Sequence, residues 1–214
     1  MRSLLLTGLI LFALSFCGLS ERLKNMTGGS PAENSNAATS NTASTGSTSA
    51  TTIDAAKLTP EQQSIANSGT ETKWTEQGLS WILPANWKKM DVKKEQFFYT
   101  TPDNASLIVT ISVMPDNFPV DTSLTAYYDQ ALQQLKNGKY ESVRMLAIDG
   151  VKGVEFTEAM PEEKDGPRRH QWIAYRNYIG QNQQLNVMTA TKGTNFDKHR
   201  DDFTAVMYSM KFVD

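Results

Sequence analysis

From Asn25 to Thr52 the chain is mostly Ser, Thr, Ala, Asn and Gly, with almost no large apolar side chain. A stretch of that composition buries too little surface to offset its conformational entropy, so it is expected to remain a disordered tether. The tract confines any folded core to the residues C-terminal of it. It also separates that core from an apolar leader. The expected division is a signal peptide over 1–16, a low-complexity tether over 17–72 and a folded domain over 73–214.

The leader begins with the cationic Arg2 and continues with an apolar run from Leu4 to Phe16. That is the pattern of an export signal, and the run is too short for a membrane-spanning helix, which needs about 20 residues. Cys17, the single cysteine, closes it. No intramolecular disulfide or cysteine-based zinc cluster can form. Leu14, Ser15 and Cys17 match a bacterial lipobox, whereas Phe16 stands where a small residue is usual. Three fates fit: lipidation at Cys17, ordinary cleavage after Ala13-Leu14-Ser15, or an uncleaved anchor. All three place the domain outside the cytoplasm, and the reading taken forward is a membrane anchor through lipid on Cys17. Gly18 follows the cysteine where an inner-membrane retention signal would carry Asp, which favours the outer membrane or periplasm.

The charge of −2 supplies no basic footprint, so nucleic acid is not an expected partner. No phosphate loop, dinucleotide glycine fingerprint, nucleophile elbow or His-Glu-x-x-His pair occurs. No cofactor or metal is therefore expected.

Beyond the tether, Thr59-Pro60 fits a helix start. Leu79–Leu83 reads as a strand closed by Pro84, with Trp87 returning to the core, and Phe97–Thr100 as a second strand followed by a turn at Pro102-Asp103-Asn104. Leu107, Val109, Ile111 and Val113 alternate with Ser106, Ile108, Thr110 and Ser112, a period of two with one face apolar. Asp121-Thr122-Ser123 offers N-caps to a helix carrying Leu124, Tyr128, Ala131, Leu132 and Leu135 and ended by Asn137-Gly138. Asp149-Gly150 predicts a hairpin. Strands over Arg169–Ile179 and around Leu185–Thr189 come next, turned at Gly180-Gln181-Asn182. A final helix presents Phe196, Arg200, Phe203, Val206 and Met207, capped by Thr194 or Asn195. The expected fold is α+β: an antiparallel β-sheet with two helices gathered to one side.

That order of parts, with the Leu83-Pro84 and Trp87 element and the Gly150 hairpin, resembles the PsbP-like superfamily. It includes the photosystem II extrinsic protein, the Ran-binding Mog-type fold, DcrB-like envelope lipoproteins and chaperones of type VI secretion effectors. The resemblance runs from about Trp74 to Asp214. It implies a sheet flanked by helices that acts as a binding or assembly module, and carries over no catalytic residue.

Candidate site residues are few. The charged loop and strand start containing Glu162, Glu163, Arg168, Arg169 and His170 could grip a charged protein partner, or form a solvated turn. His199 with Asp197, Asp201 and Asp202 could hold a metal, though a salt-bridged helix start accounts for the same residues. Trp81, Trp87 and Trp172 could line an apolar groove or fill the core, and Trp74 could do either. The scattered methionines read as packing. Two functions stay open. One is a non-enzymatic, envelope-tethered module that recognises a protein partner. The other is a small-ligand or metal carrier, or an enzyme whose site is assembled from scattered residues.

Overall fold

The computed structural model describes residues 52–93 and 96–213. The leader, Cys17 and the tract up to residue 51 lie outside the described residues.

Regular structure is present N-terminal of Lys73. A two-residue strand β1 (Asp54–Ala55) precedes helix α1 (Pro60–Ser68) and strand β2 (Thr70–Trp74). Thr59 and Gln62 close a reciprocal capping box, each side chain bonded to the other's backbone N–H, with Pro60 in the first turn. Gln62 and Ala66 are buried, and Gln62 Nε2 donates to Asp201 of the last helix at 2.9 Å. Residues 54–72 thus belong to the folded unit, which starts earlier than the boundary at Lys73. Thr59→Ala removes one half of the cap and is expected to lower stability by about 1 kcal/mol in thermal unfolding, with the rest of the fold intact.

The remaining elements are β3 (Leu79–Leu83), β4 (Lys88–Lys93), β5 (Gln96–Thr100), β6 (Ser106–Val113), α2 (Val120–Lys136), β7 (Tyr140–Ile148), β8 (Val151–Glu158), β9 (Pro167–Tyr178), β10 (Gln181–Lys192), α3 (Gly193–Tyr208) and β11 (Lys211–Phe212). Among the described residues, eight strands form one sheet in the order β1-β7-β8-β9-β10-β6-β5-β4, and a smaller sheet runs β11-β3-β2. The large sheet is antiparallel except where β1 lies parallel to β7, so it is mixed. The second sheet was not legible in the sequence.

The helices lie on opposite faces rather than one. On β9, Trp172 belongs to the larger core with Leu107, Val109, Phe196 and Phe203, while its neighbour Ile173 packs with Leu124, Ala131, Met145, Val154 and Phe156 beneath α2. Successive strand residues point to opposite faces, so burial of both marks a sheet covered on both sides. Helix α3 and the small sheet cover the Trp172 face.

Local chemistry explains where the expected boundaries hold. Asp149 and Gly150 adopt φ of 47° and 85°, the double left-handed turn of a two-residue hairpin. Ile179 and Gly180, at 51° and 74°, form a second, one residue earlier than expected. Leu107, Val109 and Ile111 are buried as the alternation requires, but Val113 is 58% exposed at the strand's end. Neither long helix uses its expected side-chain cap. Helix α2 starts at Val120 after Pro119. Helix α3 starts at Gly193, whose N–H donates to Gly166 O at 2.9 Å while Thr194 N–H donates to Lys164 O at 3.0 Å. Carbonyls of the 161–166 loop do the capping, and the Thr194 hydroxyl bonds Asp165 instead. A Cβ on Gly193 would sit 2.7 Å from Lys164 O, so this approach requires glycine.

Candidate functional site

The structure divides the expected partner-binding residues. Glu162 and Glu163 are exposed on the loop that caps α3. Arg168 and His170 point to the α3 face of β9 and are 3% and 6% exposed. Arg169, on the other face, bonds Glu158 at 2.8 Å. One continuous patch is therefore not assembled.

His170 instead joins a buried carboxylate. Glu155 on β8 accepts from His170 Nε2 at 2.8 Å and from the Tyr208 hydroxyl at 2.6 Å on one oxygen, and from Arg144 Nε at 2.5 Å on the other. Arg144 also donates to the Tyr208 hydroxyl. Burial alone would raise the Glu155 pKa. The His170, Tyr208 and Arg144 donors override it and bring it to about 2. The same burial, together with the Glu155 charge, pushes the Tyr208 phenol far up. These four side chains, drawn from β7, β8, β9 and α3, are tied together through the Glu155 carboxylate.

A second cluster surrounds Phe196. Arg168 lies 4.4 Å and Arg200 5.2 Å from its ring centroid. Both guanidinium groups reach Glu141 and Asp197. His199 is buried, with Nε2 2.9 Å from Asp103 and Nδ1 3.4 Å from Asp202. The Lys198 ammonium, helped by the Thr101 hydroxyl, holds the Asp103 carboxyl well below the usual carboxylate range. Asp197 and Asp201 turn instead to the arginines and to Gln62, so the expected aspartates do not converge on His199. Among the described residues no group of three His, Cys, Asp or Glu side chains is arranged so that it could hold a metal ion.

Arg176 is 9% exposed, stacked over the Tyr178 ring at 4.5 Å, with Nε donating to Gln183 at 3.1 Å. Desolvation lowers its pKa to about 10. Its Nη2 donates to Gln183 and to the Gln77 carbonyl, so the fold's own elements hold this side chain too.

An open groove of about 490 Å³ lies at the corner where the two sheets meet. Thr70–Lys73, the turn from Leu83 to Trp87, and Lys89, Phe97 and Tyr99 line it. Trp87, Phe97 and Tyr99 are 9%, 5% and 3% exposed, so the floor is aromatic but almost closed. Asn86, exposed in the turn, has φ of 74°. Of the tryptophans considered for a groove, Trp87 lines this one, whereas Trp81 and Trp172 are core at 1% and 0% exposure. Neither histidine lines it.

Glu155, Arg144, Tyr208 and Thr70–Lys73 were all missed in the sequence. Glu155 had a usable signal: a carboxylate between Val154 and Phe156 in a strand must be paired if that strand is covered on both faces. Thr70, Glu71 and Thr72 fell inside the expected tether, and Lys73 at the expected start of the domain.

No protein-family model and no curated protein matches the chain. Solved structures do. LpqN of Mycobacterium tuberculosis, involved in cell envelope biogenesis, is similar at a TM-score of 0.50 and 12% identity, over 68% of this chain and 86% of that one. Cyanobacterial PsbP (CyanoP) of Synechocystis sp. PCC 6803 is similar at 0.45 and 14%, over 68% and 94%. The Saccharomyces cerevisiae Ran-binding protein Mog1p is similar at 0.40 and 13%, over 68% and 96%. Of a Bacteroides thetaiotaomicron structure the chain spans about half the length, 49%. The likeness is one of fold. The LpqN match agrees with the α+β architecture, a sheet flanked by helices, expected from the element order.

Proposed function

We propose that the chain is an envelope-tethered binding or assembly module that recognises a protein partner, held to the membrane by lipid on Cys17. The observation that carries this reading is where the reactive-looking groups are engaged. Glu155, His170, Arg144 and Tyr208 bond one another, and His199 bonds Asp103 and Asp202. The open groove instead offers main chain, lysines and an aromatic floor. Surfaces of that kind hold polypeptide better than they perform proton transfer. The exposed Glu162 and Glu163 belong to the partner-facing surface. The description of LpqN as involved in cell envelope biogenesis agrees with the compartment inferred from the leader.

Crosslinking pull-downs from envelope fractions test this with the native chain and Cys17→Ala. A defined partner is expected with the native form, weakened at least severalfold when the anchor is lost. Equal recovery from both forms would remove the tether from the mechanism. No specific partner from either would end the binding-module reading.

A further inference from the structure

Sheet edges are where a protein can accept a further strand, and natural proteins blunt most of them. Among the described residues, four strands stand outermost in the two sheets: β1, β4, β11 and β2. Strands β1 and β11 are two residues long. Strand β4 has a register shift between Lys89 and Asp91, and its sequence Lys88-Lys89-Met90-Asp91-Val92-Lys93 carries three lysines. Strand β2 differs. It pairs with β3 in unbroken register over five residues, Thr70↔Leu83 to Trp74↔Leu79, and contains no proline.

The free edge of β2 faces the groove. Four consecutive β2 residues, Thr70, Glu71, Thr72 and Lys73, line it. A strand that presents only one face contributes alternate residues, so a consecutive run identifies an edge. The floor opposite is Trp87, Phe97 and Tyr99, and burial leaves these rings little surface for a small apolar ligand. What the groove exposes is main chain of Thr70–Lys73, with no strand paired to it among the described residues, over roughly 13 Å at about 3.3 Å per residue.

From this geometry we infer that the β2 edge accepts an extended, acidic peptide segment of a partner protein as an added strand of the small sheet. The inference deepens the binding-module reading and rests on it. Main-chain hydrogen bonds to β2 would hold the added strand, and its outward side chains would lie beside Glu71 and Lys73. Glu71 is already paired to Lys73 at 3.2 Å, and Lys89 lies 5.5 Å from the Phe97 ring at the floor. The charged lining residues are two lysines against that one carboxylate, which selects an acidic strand over a basic one.

The probe is a blocked octapeptide of alternating Val and Glu, titrated into the ¹⁵N-labelled full chain. Its amide shifts are expected to centre on Thr70–Lys73 and on the Trp87 indole. N-methylation of alternate peptide amides removes ladder hydrogen bonds and is expected to weaken binding at least tenfold. Lys73→Glu should weaken it at least threefold, and an alternating Val and Lys peptide should bind no better than that variant. Equal binding of the methylated peptide, shifts centred elsewhere, or no binding at millimolar concentration would each overturn the inference. A partner from the pull-down whose crosslinks lie away from Thr70–Lys73 would keep the binding-module reading and remove this site alone.

Discussion

Glu155→Ala is expected to destabilise the domain by about 3–4 kcal/mol, a fall in Tm of roughly 6–15 °C for a unit of this size. Glu155 is 6% exposed, and its two oxygens satisfy donors from His170, Tyr208 and Arg144. Alanine leaves the buried imidazole and the half-buried phenol facing a void, and an unpaired buried polar group costs more than the lost bond itself. Arg144 can recover water, since its side chain is 45% exposed, so the loss stays below that of a fully enclosed ion pair. The pH dependence separates charge from packing. Folding lowers the Glu155 pKa from 4.5 to about 2, so its contribution is complete above about pH 5 and is lost as pH falls towards 2. A shift of that size is worth about 3 kcal/mol at neutral pH. Denaturant unfolding of wild type and Glu155→Gln from pH 7 to 2.5 checks this. The two stabilities should differ most at pH 7 and converge as pH falls through that window. A constant difference across it would mean that the Glu155 charge does not contribute.

The same residue shows how far the sequence could be read. Period-two alternation in Leu107–Ile111 and the left-handed turn at Asp149-Gly150 are local signals, and the structure keeps both. The side of the sheet that each helix covers is not local. It depends on which strands pair, and Val154-Glu155-Phe156 alone does not say that Glu155 faces α3 while its neighbours face α2. The caps failed for a related reason. Thr194 and Asn195 are good N-cap residues, yet the carbonyls of Lys164 and Gly166, some thirty residues away in sequence, reach the α3 N–H groups first. The candidate loop misled most. Glu162 to His170 reads as one charged patch, but strand alternation from Pro167 onward turns Arg168 and His170 inward and leaves Arg169 on the other face. The β2 edge was hidden by composition, because the polar Thr70, Glu71, Thr72 and Lys73 continue the character of the tether.

Gly153→Ala is expected to cost about 3 kcal/mol, although it adds one methyl group to a strand that otherwise gains from a side chain. Gly153 lies on β8 between Leu146 and Ala174 of the flanking strands. A Cβ there would stand 2.5 Å from Trp172 Nε1, 2.6 Å from Trp172 Cε2 and 2.7 Å from Ile173 O. The indole cannot retreat freely. It is fully buried, and its Nε1–H donates to Leu146 O at 3.2 Å. Moving it breaks that bond and pushes into a core packed at crystal-like density. Trp172→Phe tests the explanation, because a phenyl ring lacks the atoms that meet the new methyl. Alone, Trp172→Phe should destabilise through lost volume and the lost bond. Combined with Gly153→Ala, it should cost at least 1 kcal/mol less than the sum of the two single changes, measured as a double-mutant cycle by denaturant unfolding. Additive costs would place the clash on the Ile173 carbonyl instead, which no side-chain substitution at Trp172 can relieve.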